Sequence, residues 1–241
     1  MKIYLLTSNK YTEKLCPINI HFLNKYWPDN EITIVGYDYV SDLENLPDNV
    51  TKVCLGLQED YGRMWTNALI PFFKKIPEDY FTLVFDDHIL MNKVDQQKIN
   101  VLEEQFLNKN ADKAMIGGGI SLSNTALYDK DERLLTFNQT AMYRMSLHPA
   151  IWTKNYFLKY LFPNMTSWDF ELQNNGRALM DGATILNYKY DYPNEPHLFS
   201  YLELYTKGKV NINEKGEVIT NQPSSRHFNS QDIEFIWENL H

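Results

Sequence analysis

Over its first 120 or so residues the chain alternates short apolar, β-branched runs with longer stretches of helical period. Ile3 to Leu6 reads as a buried strand, and Thr12 to Tyr26 carries Leu15, Ile18, Phe22 and Leu23 at helical spacing before stopping at Trp27-Pro28-Asp29. Ile32 to Val35 and Thr51 to Leu55 read as further strands. Met64 to Lys75 keeps a helical period interrupted only by Pro71, and Phe81 to Phe85 is the next strand. Val94 to Leu107 then reads as an amphipathic helix and Lys113 to Ile116 as a strand running into Gly117-Gly118-Gly119. Strands that alternate with helices imply βαβ units, hence a mostly parallel central sheet with helices on both sides.

The second half follows another pattern. Thr136 to Leu147 looks like a strand, "PAIWTKNYFLKYLF" like a helix with Pro149 near its first turn, and "ATILNYKYDY" like another strand. "KGKVNINEKGEVITNQPSS" reads as a hairpin and linker, and Gln231 to Leu240 as a helix capped by Ser230. At 241 residues without a repeat or low-complexity block, the expectation is one α/β domain over 1–241. Residues 1–120 would form one half and 121–241 a smaller second half.

Charge and cysteine content remove several classes. A formal net charge of −8 argues against nonspecific nucleic-acid binding, which depends on neutralising phosphates. Two distant cysteines, Cys16 and Cys54, support neither a disulfide framework nor a zinc ribbon. The N-terminus lacks a signal-peptide apolar core, and no later segment approaches the ~18 apolar residues of a membrane span. The expectation is therefore a cytoplasmic protein with no transmembrane segment, in which the sequons at Asn49, Asn138 and Asn164 carry no meaning.

The chemistry is concentrated where "FTLVF" meets "DDH". A strand buried on both faces does not tolerate charge, so Asp86, Asp87 and His88 mark its end, and ligands of open α/β sheets sit beyond the carboxyl ends of the strands. Alternation along an extended backbone would send Asp86 and His88 one way and Asp87 the other. A cation held against a diphosphate needs few protein ligands, because phosphate and water supply the rest. Read alone, Asp-Asp after a strand is more often the chemistry of a turn or helix cap.

Two stretches carry a resemblance. "EDYGRMWTNALIPFFKKIPEDYFTLVFDDHILMNKVD" and the later "SWDFELQNN" follow the order found in GT-A glycosyltransferases of the nucleotide-diphospho-sugar transferase superfamily. The chain resembles, more loosely, their small single-domain viral and bacterial members, over roughly residues 1 to 200. The implied fold is a single GT-A, Rossmann-like domain: a nucleotide-sugar half followed by an acceptor-side half. The implied reaction moves a sugar from a nucleotide-diphosphate donor, most commonly a UDP-sugar, to a hydroxyl acceptor such as a glycan. The family's Asp-x-Asp maps onto Asp86-Asp87-His88 with His88 replacing the second acid, or, shifted by one, with Phe85 replacing the first. Imidazole suits Mn²⁺ better than Mg²⁺, so the implied cofactor is Mn²⁺ or, failing that, Mg²⁺.

By the same resemblance, Thr7, Ser8 and Asn9 after the first strand, Asp38 after the second, Arg63, Asn67 and Gly118 would join Asp86 and Asp87 in binding the donor. Thr-Ser-Asn is equally turn chemistry and Asp38 equally a loop acid; Arg63 would supply a fixed guanidinium. The metal would be held by Asp86, Asp87, His88 and a later His197, with His227 beside Arg226 competing for that place. Lys207 and Lys209 could clamp a diphosphate. Asp169 or Glu171 would act as base, Asp169 slightly ahead because of its shorter arm, although acids near a helix start are also favoured by the dipole. Trp168 would form an acceptor platform or a core anchor. The alternative to an enzyme is a catalytically silent GT-A-like module that binds nucleotide or glycan. A sugar nucleotidyltransferase is disfavoured, because TSNKYTEK lacks a glycine-rich phosphate loop.

Overall fold

Ile3 and Leu5 of strand β1 (Lys2–Leu6) face one apolar core and Tyr4 and Leu6 another, so the strand is buried on both sides. The computed structural model describes residues 1–117, 124–190, 194–206, 208–213, 217–219 and 228–240. Gly118, Gly119, Lys207, Arg226 and His227 lie outside the described residues.

Around β1 stand β2 (Glu31–Gly36), β3 (Val50–Cys54) and β4 (Tyr80–Phe85), all mutually parallel in the order β3-β2-β1-β4. The sheet continues through β9 (Ala150–Thr153), β6 (Lys113–Met115), β10 (Ile185–Tyr188), β8 (Leu134–Phe137) and β7 (Thr125–Leu127). Only β9 and β8 run against the other seven of its nine strands. A two-stranded ribbon joins β5 (His88–Leu90) to β11 (Tyr201–Glu203), and a hairpin joins β12 (Tyr205–Thr206) to β13 (Lys209–Val210).

Helices cover both faces. α1 (Asn9–Tyr26) and α4 (Gln96–Leu107) seal one core with Cys16, Leu23, Ile99 and Leu102. On the other side lie α3 (Trp65–Lys75), α5 (Lys154–Tyr160) and α6 (Ser167–Arg177), whose Phe73, Phe157 and Phe170 stack around Phe81 and Trp152. The back of α1 meets α7 (Ser230–Leu240) in a third cluster, where Asp232 binds Lys25 at 2.5 Å and the hydroxyl of Tyr26. A short helix α2 (Gln58–Tyr61) precedes α3. Both cysteines are free thiols, and no described helix is long and apolar enough to cross a membrane.

Two expectations are corrected. The run from Thr136 to Leu147 is a strand only as far as Phe137; turns follow, with Tyr143 at φ 64°. The cause is Arg144, which is fully buried and donates to the carbonyls of Asn138, Ala178 and Ala183 and to Asp181, pulling the chain inward. The stretch after Pro149 is not one helix: Ala150, Ile151 and Trp152 first pair as β9 between β4 and β6, and α5 starts only after Thr153, whose hydroxyl accepts from Tyr156 N. An aromatic and a β-branched residue fit that buried slot better than a helix start.

Candidate active site

β4 delivers Phe85 to the sheet edge, where a turn at Asp86 and Asp87 leads into β5. The turn breaks the alternation expected from an extended backbone, so the three polar side chains part differently from the sequence reading. Asp86 is turned inward and only 6% exposed, accepting from the Thr7 hydroxyl at 2.6 Å. Gly36 makes room for this contact: a Cβ there would stand 2.6 Å from the Thr7 methyl. Burial and then the neighbouring Asp87 charge push the Asp86 carboxyl up to about 7, against the Thr7 hydroxyl and the backbone N–H groups of Ser8 and Asp87.

Asp87 and His88 instead share a side, with Asp87 Oδ1 at 3.9 Å from His88 Nε2. Burial raises the Asp87 carboxyl to about 6 and lowers His88 to about 3, so the imidazole is neutral near pH 7. His88 Nδ1 is buried and has no hydrogen-bond partner. Such an orphan is expensive unless a ligand completes it.

The ribbon supplies the next wall. Register sets Glu203 of β11 opposite His88, and Leu204 N holds the Asp87 carbonyl at 2.7 Å. Tyr201, diagonal to His88 across the pair, lies 4.6 Å from its ring and hydrogen-bonds His148 Nδ1. Burial, then the charges of Glu203, Asp87 and Glu171, raise the Tyr201 phenol, so it stays protonated. Burial and then Asp87 raise Glu203 as well. Glu203 thus lies in the field of both Asp87 and Glu171.

α6 forms the opposite side. Thr166 caps it and Asp169 closes the capping box: its carboxylate accepts from the Thr166 N–H at 3.0 Å and hydroxyl at 2.6 Å, and from Gln173 at 3.1 Å. The Thr166 hydroxyl and N–H, with Gln173, hold Asp169 below the usual carboxylate range. The cap is therefore Thr166, and Asp169 is held as an anion within its capping box. Glu171 points to the turn before His148, accepting from Leu147 N at 2.5 Å. Beneath that turn lies fully buried Lys113, donating to the carbonyls of Arg144 and Ser146 and standing 3.9 Å over the Trp152 ring. Burial lowers the Lys113 ammonium well below its ordinary value, opposed by the Glu171 charge. Trp168 is 67% exposed and is no core anchor.

Of the residues expected to bind the donor, Thr7 joins Asp86, whereas Asn9 and Asp38 meet each other at 2.7 Å, and both contact Gln58 at the ends of β1 and β2. Asn67 is committed elsewhere: its amide exchanges hydrogen bonds of 2.9 and 2.8 Å with Asn164, tying α3 to the approach to α6. Arg63 is exposed on the turn before α3. His197 lies edge-on against Tyr190. Among the described residues no three His, Cys, Asp or Glu side chains group to hold an ion by themselves. Asp87 and His88 thus offer at most two donors, and a Mn²⁺ ion would fit only if a diphosphate completed its shell. Asp86, spent on Thr7, does not fit as a third.

Glu203, Tyr201, His148 and Lys113 were not reached from sequence. The alternation of Tyr201, Glu203 and Tyr205 with Leu202 and Leu204 did signal a half-buried strand, but nothing local shows that it pairs with His88.

The chain shares its α/β fold with solved structures at low sequence identity. The chain superposes on S. aureus TarS residues 1–349 with a TM-score of 0.51 at 14% identity, covering 78% of this chain and 58% of that one. A second TarS structure gives a TM-score of 0.51 at 14% identity, with 78% of this chain and 35% of that one covered. HddC from Yersinia pseudotuberculosis matches at TM-score 0.48 and 12% identity over 78% and 89% of the two chains. No protein-family model matches the chain, and neither does any curated protein. The chain spans little more than half of the shorter TarS chain.

Proposed function

We propose that the protein is a metal-assisted glycosyltransferase that takes a sugar from a nucleotide-diphosphate donor, UDP-linked in the first instance, and passes it to a hydroxyl acceptor with inversion. The observation that carries this reading is the convergence of Asp87 and neutral His88 at the end of β4, with Glu171 bound to Leu147 N next to His148, whose partner Tyr201 lies beside the His88 ring. Asp87 and His88 would hold a Mn²⁺ ion, which when bound neutralises charge developing on the leaving diphosphate. Asn9 and Asp38, at the ends of β1 and β2, would face the nucleoside. Glu171 would take the acceptor hydroxyl's proton as its oxygen bonds the anomeric carbon and the bond to the diphosphate breaks. Exposed Trp168, three residues before Glu171 on the same helix, would offer the acceptor an apolar face.

A second reading has its own support: with Asp86 buried, the cluster has one free acid where the superfamily motif has two, which suits a module that binds without turnover. Incubation with a panel of UDP-, GDP- and CMP-sugars, with and without Mn²⁺, tests both. Mn²⁺-dependent release of free nucleotide supports the transferase. Binding without release favours the module, and no binding to any member removes both.

A further inference from the structure

Along α1 the buried face is apolar except for a stripe of small polar side chains. Thr12, Cys16 and Asn19 follow one another at spacings of four and three, so they line one side of the helix. The Thr12 hydroxyl stands 3.1 Å from that of Thr7, which itself holds Asp86. Asn19, fully buried, points its amide nitrogen at the backbone carbonyls of Phe85, Asp86 and His88 at 3.2, 3.2 and 3.1 Å. A single NH₂ group therefore spans the last residue of β4, the turn and the first residue of β5. The opposite amide orientation is excluded, because it would set Oδ1 against three carbonyl oxygens.

We infer that Asn19 is the positioning residue of the Asp86-Asp87-His88 turn, a clamp in α1 that fixes the angle at which Asp87 and His88 face the site. The inference rests on the proposed transferase reading for what that site binds. Its physical basis is the cost at Asn19 itself. Oδ1 is buried with no partner, a penalty that an apolar side chain would avoid. A residue chosen for packing alone would be apolar here, as Leu15, Ile18 and Phe22 are on the same helix. The three carbonyls flank the turn between β4 and β5, so an amide reaching from α1 ties the end of one strand to the start of the next.

The test compares Asn19→Leu with Leu15→Ala, a cavity variant one turn away on the same side of α1 that leaves the Asn19 amide in place, by amide hydrogen exchange over residues 84–92 and by binding of UDP with Mn²⁺. Asn19→Leu should raise exchange at 86–91 at least tenfold beyond Leu15→Ala and weaken UDP by tenfold or more, while Leu15→Ala stays within twofold of wild type in affinity. Asn19→Ser, which keeps one donor, should fall between, and it replaces Asn19→Leu in the comparison if the latter does not fold. Equal exchange at the turn in the Asn19 and Leu15 variants overturns the clamp. If wild type binds no UDP the transferase reading fails, and the exchange comparison alone still decides the role of Asn19. If UDP binds and Asp87→Ala abolishes it while Asn19→Leu leaves turn and affinity unchanged, only the clamp is lost.

Discussion

Two carboxylates on one helix, Asp169 and Glu171, are held in opposite ways, and the difference sets what each can do. Asp169 is stabilised as an anion by three donors of its own cap, which opposes proton uptake. Glu171 has one backbone donor and lies among the acids of the site. Glu171→Gln should therefore cut turnover by about 10² or more with donor binding intact, because loss of a general base acts on the chemical step. Asp169→Asn should lower Tm while leaving turnover within about twofold of the wild type, as expected of a residue away from the reacting atoms; a Thr166→Ala variant should show the same pattern at about 1 kcal/mol. Steady-state kinetics with parallel melts separate the two, and the reverse ranking would return the base to Asp169. The acids of the β4 turn divide in the same way. Asp87→Ala should abolish Mn²⁺-dependent nucleotide binding by calorimetry. Asp86→Ala should chiefly destabilise, by about 1–3 kcal/mol, since it leaves the Thr7 hydroxyl and Ser8 N–H facing an apolar void. Equal loss of binding in melting-matched variants would return Asp86 to the ligand set.

At the scale of elements, the segment between β8 and β9 is organised by charge in the interior. Arg144 and Asp181, at 0% and 4% side-chain exposure, pair at 3.0 Å, and Tyr160 adds a hydroxyl to Asp181 at 2.6 Å. Burial alone would raise the Asp181 carboxyl, but the donors from Tyr160, Ala183 and Arg144 outweigh it and leave it lowered. Its folded pKa thus lies below the unfolded value of about 3.9, so its stabilisation is complete above that pH and is lost as pH falls through the folded value. Asp181→Ala should cost about 3–5 kcal/mol near neutral pH by stranding the buried guanidinium. The gap from wild type should narrow in urea melts taken below about pH 4, and a constant gap would exclude the ion pair as the cause.

This region also shows what the sequence could and could not disclose. β1, β2, β4 and helices α1, α3 and α4 were legible because each is a local pattern, an apolar run or a helical period, with its partners nearby. The turn after Phe137 was not, because Arg144 reads as a surface cation until Asp181 and three distant carbonyls enclose it. β9 was hidden for a similar reason: a four-residue strand leading directly into a helix has the composition of the helix it precedes. At the site, the acids after β4 and on α6 stood out by residue type, but which of each pair faces the mouth depended on a turn and a cap. Glu203 and Tyr201 depended on pairing between residues more than a hundred positions apart.

For the whole molecule, a nucleotide that binds only the native state should raise the melting temperature, and go on raising it with the logarithm of its concentration above Kd. UDP with Mn²⁺ should shift it by several degrees in wild type and not in Asp87→Ala, and a flat response in both would argue against a donor site at this edge. The order of the sheet has a consequence during synthesis. β9, from the second half of the chain, lies between β4 and β6 of the first, so the two halves are interleaved rather than merely adjacent. A ribosome that has released only the first 120 residues has exposed β4 with one bare edge, and the partner that covers it emerges some thirty residues later. An uncovered, largely apolar edge invites pairing with another chain. The nascent protein should therefore be most vulnerable to aggregation in this interval, and a fragment ending at residue 120 should be insoluble where the full chain is not.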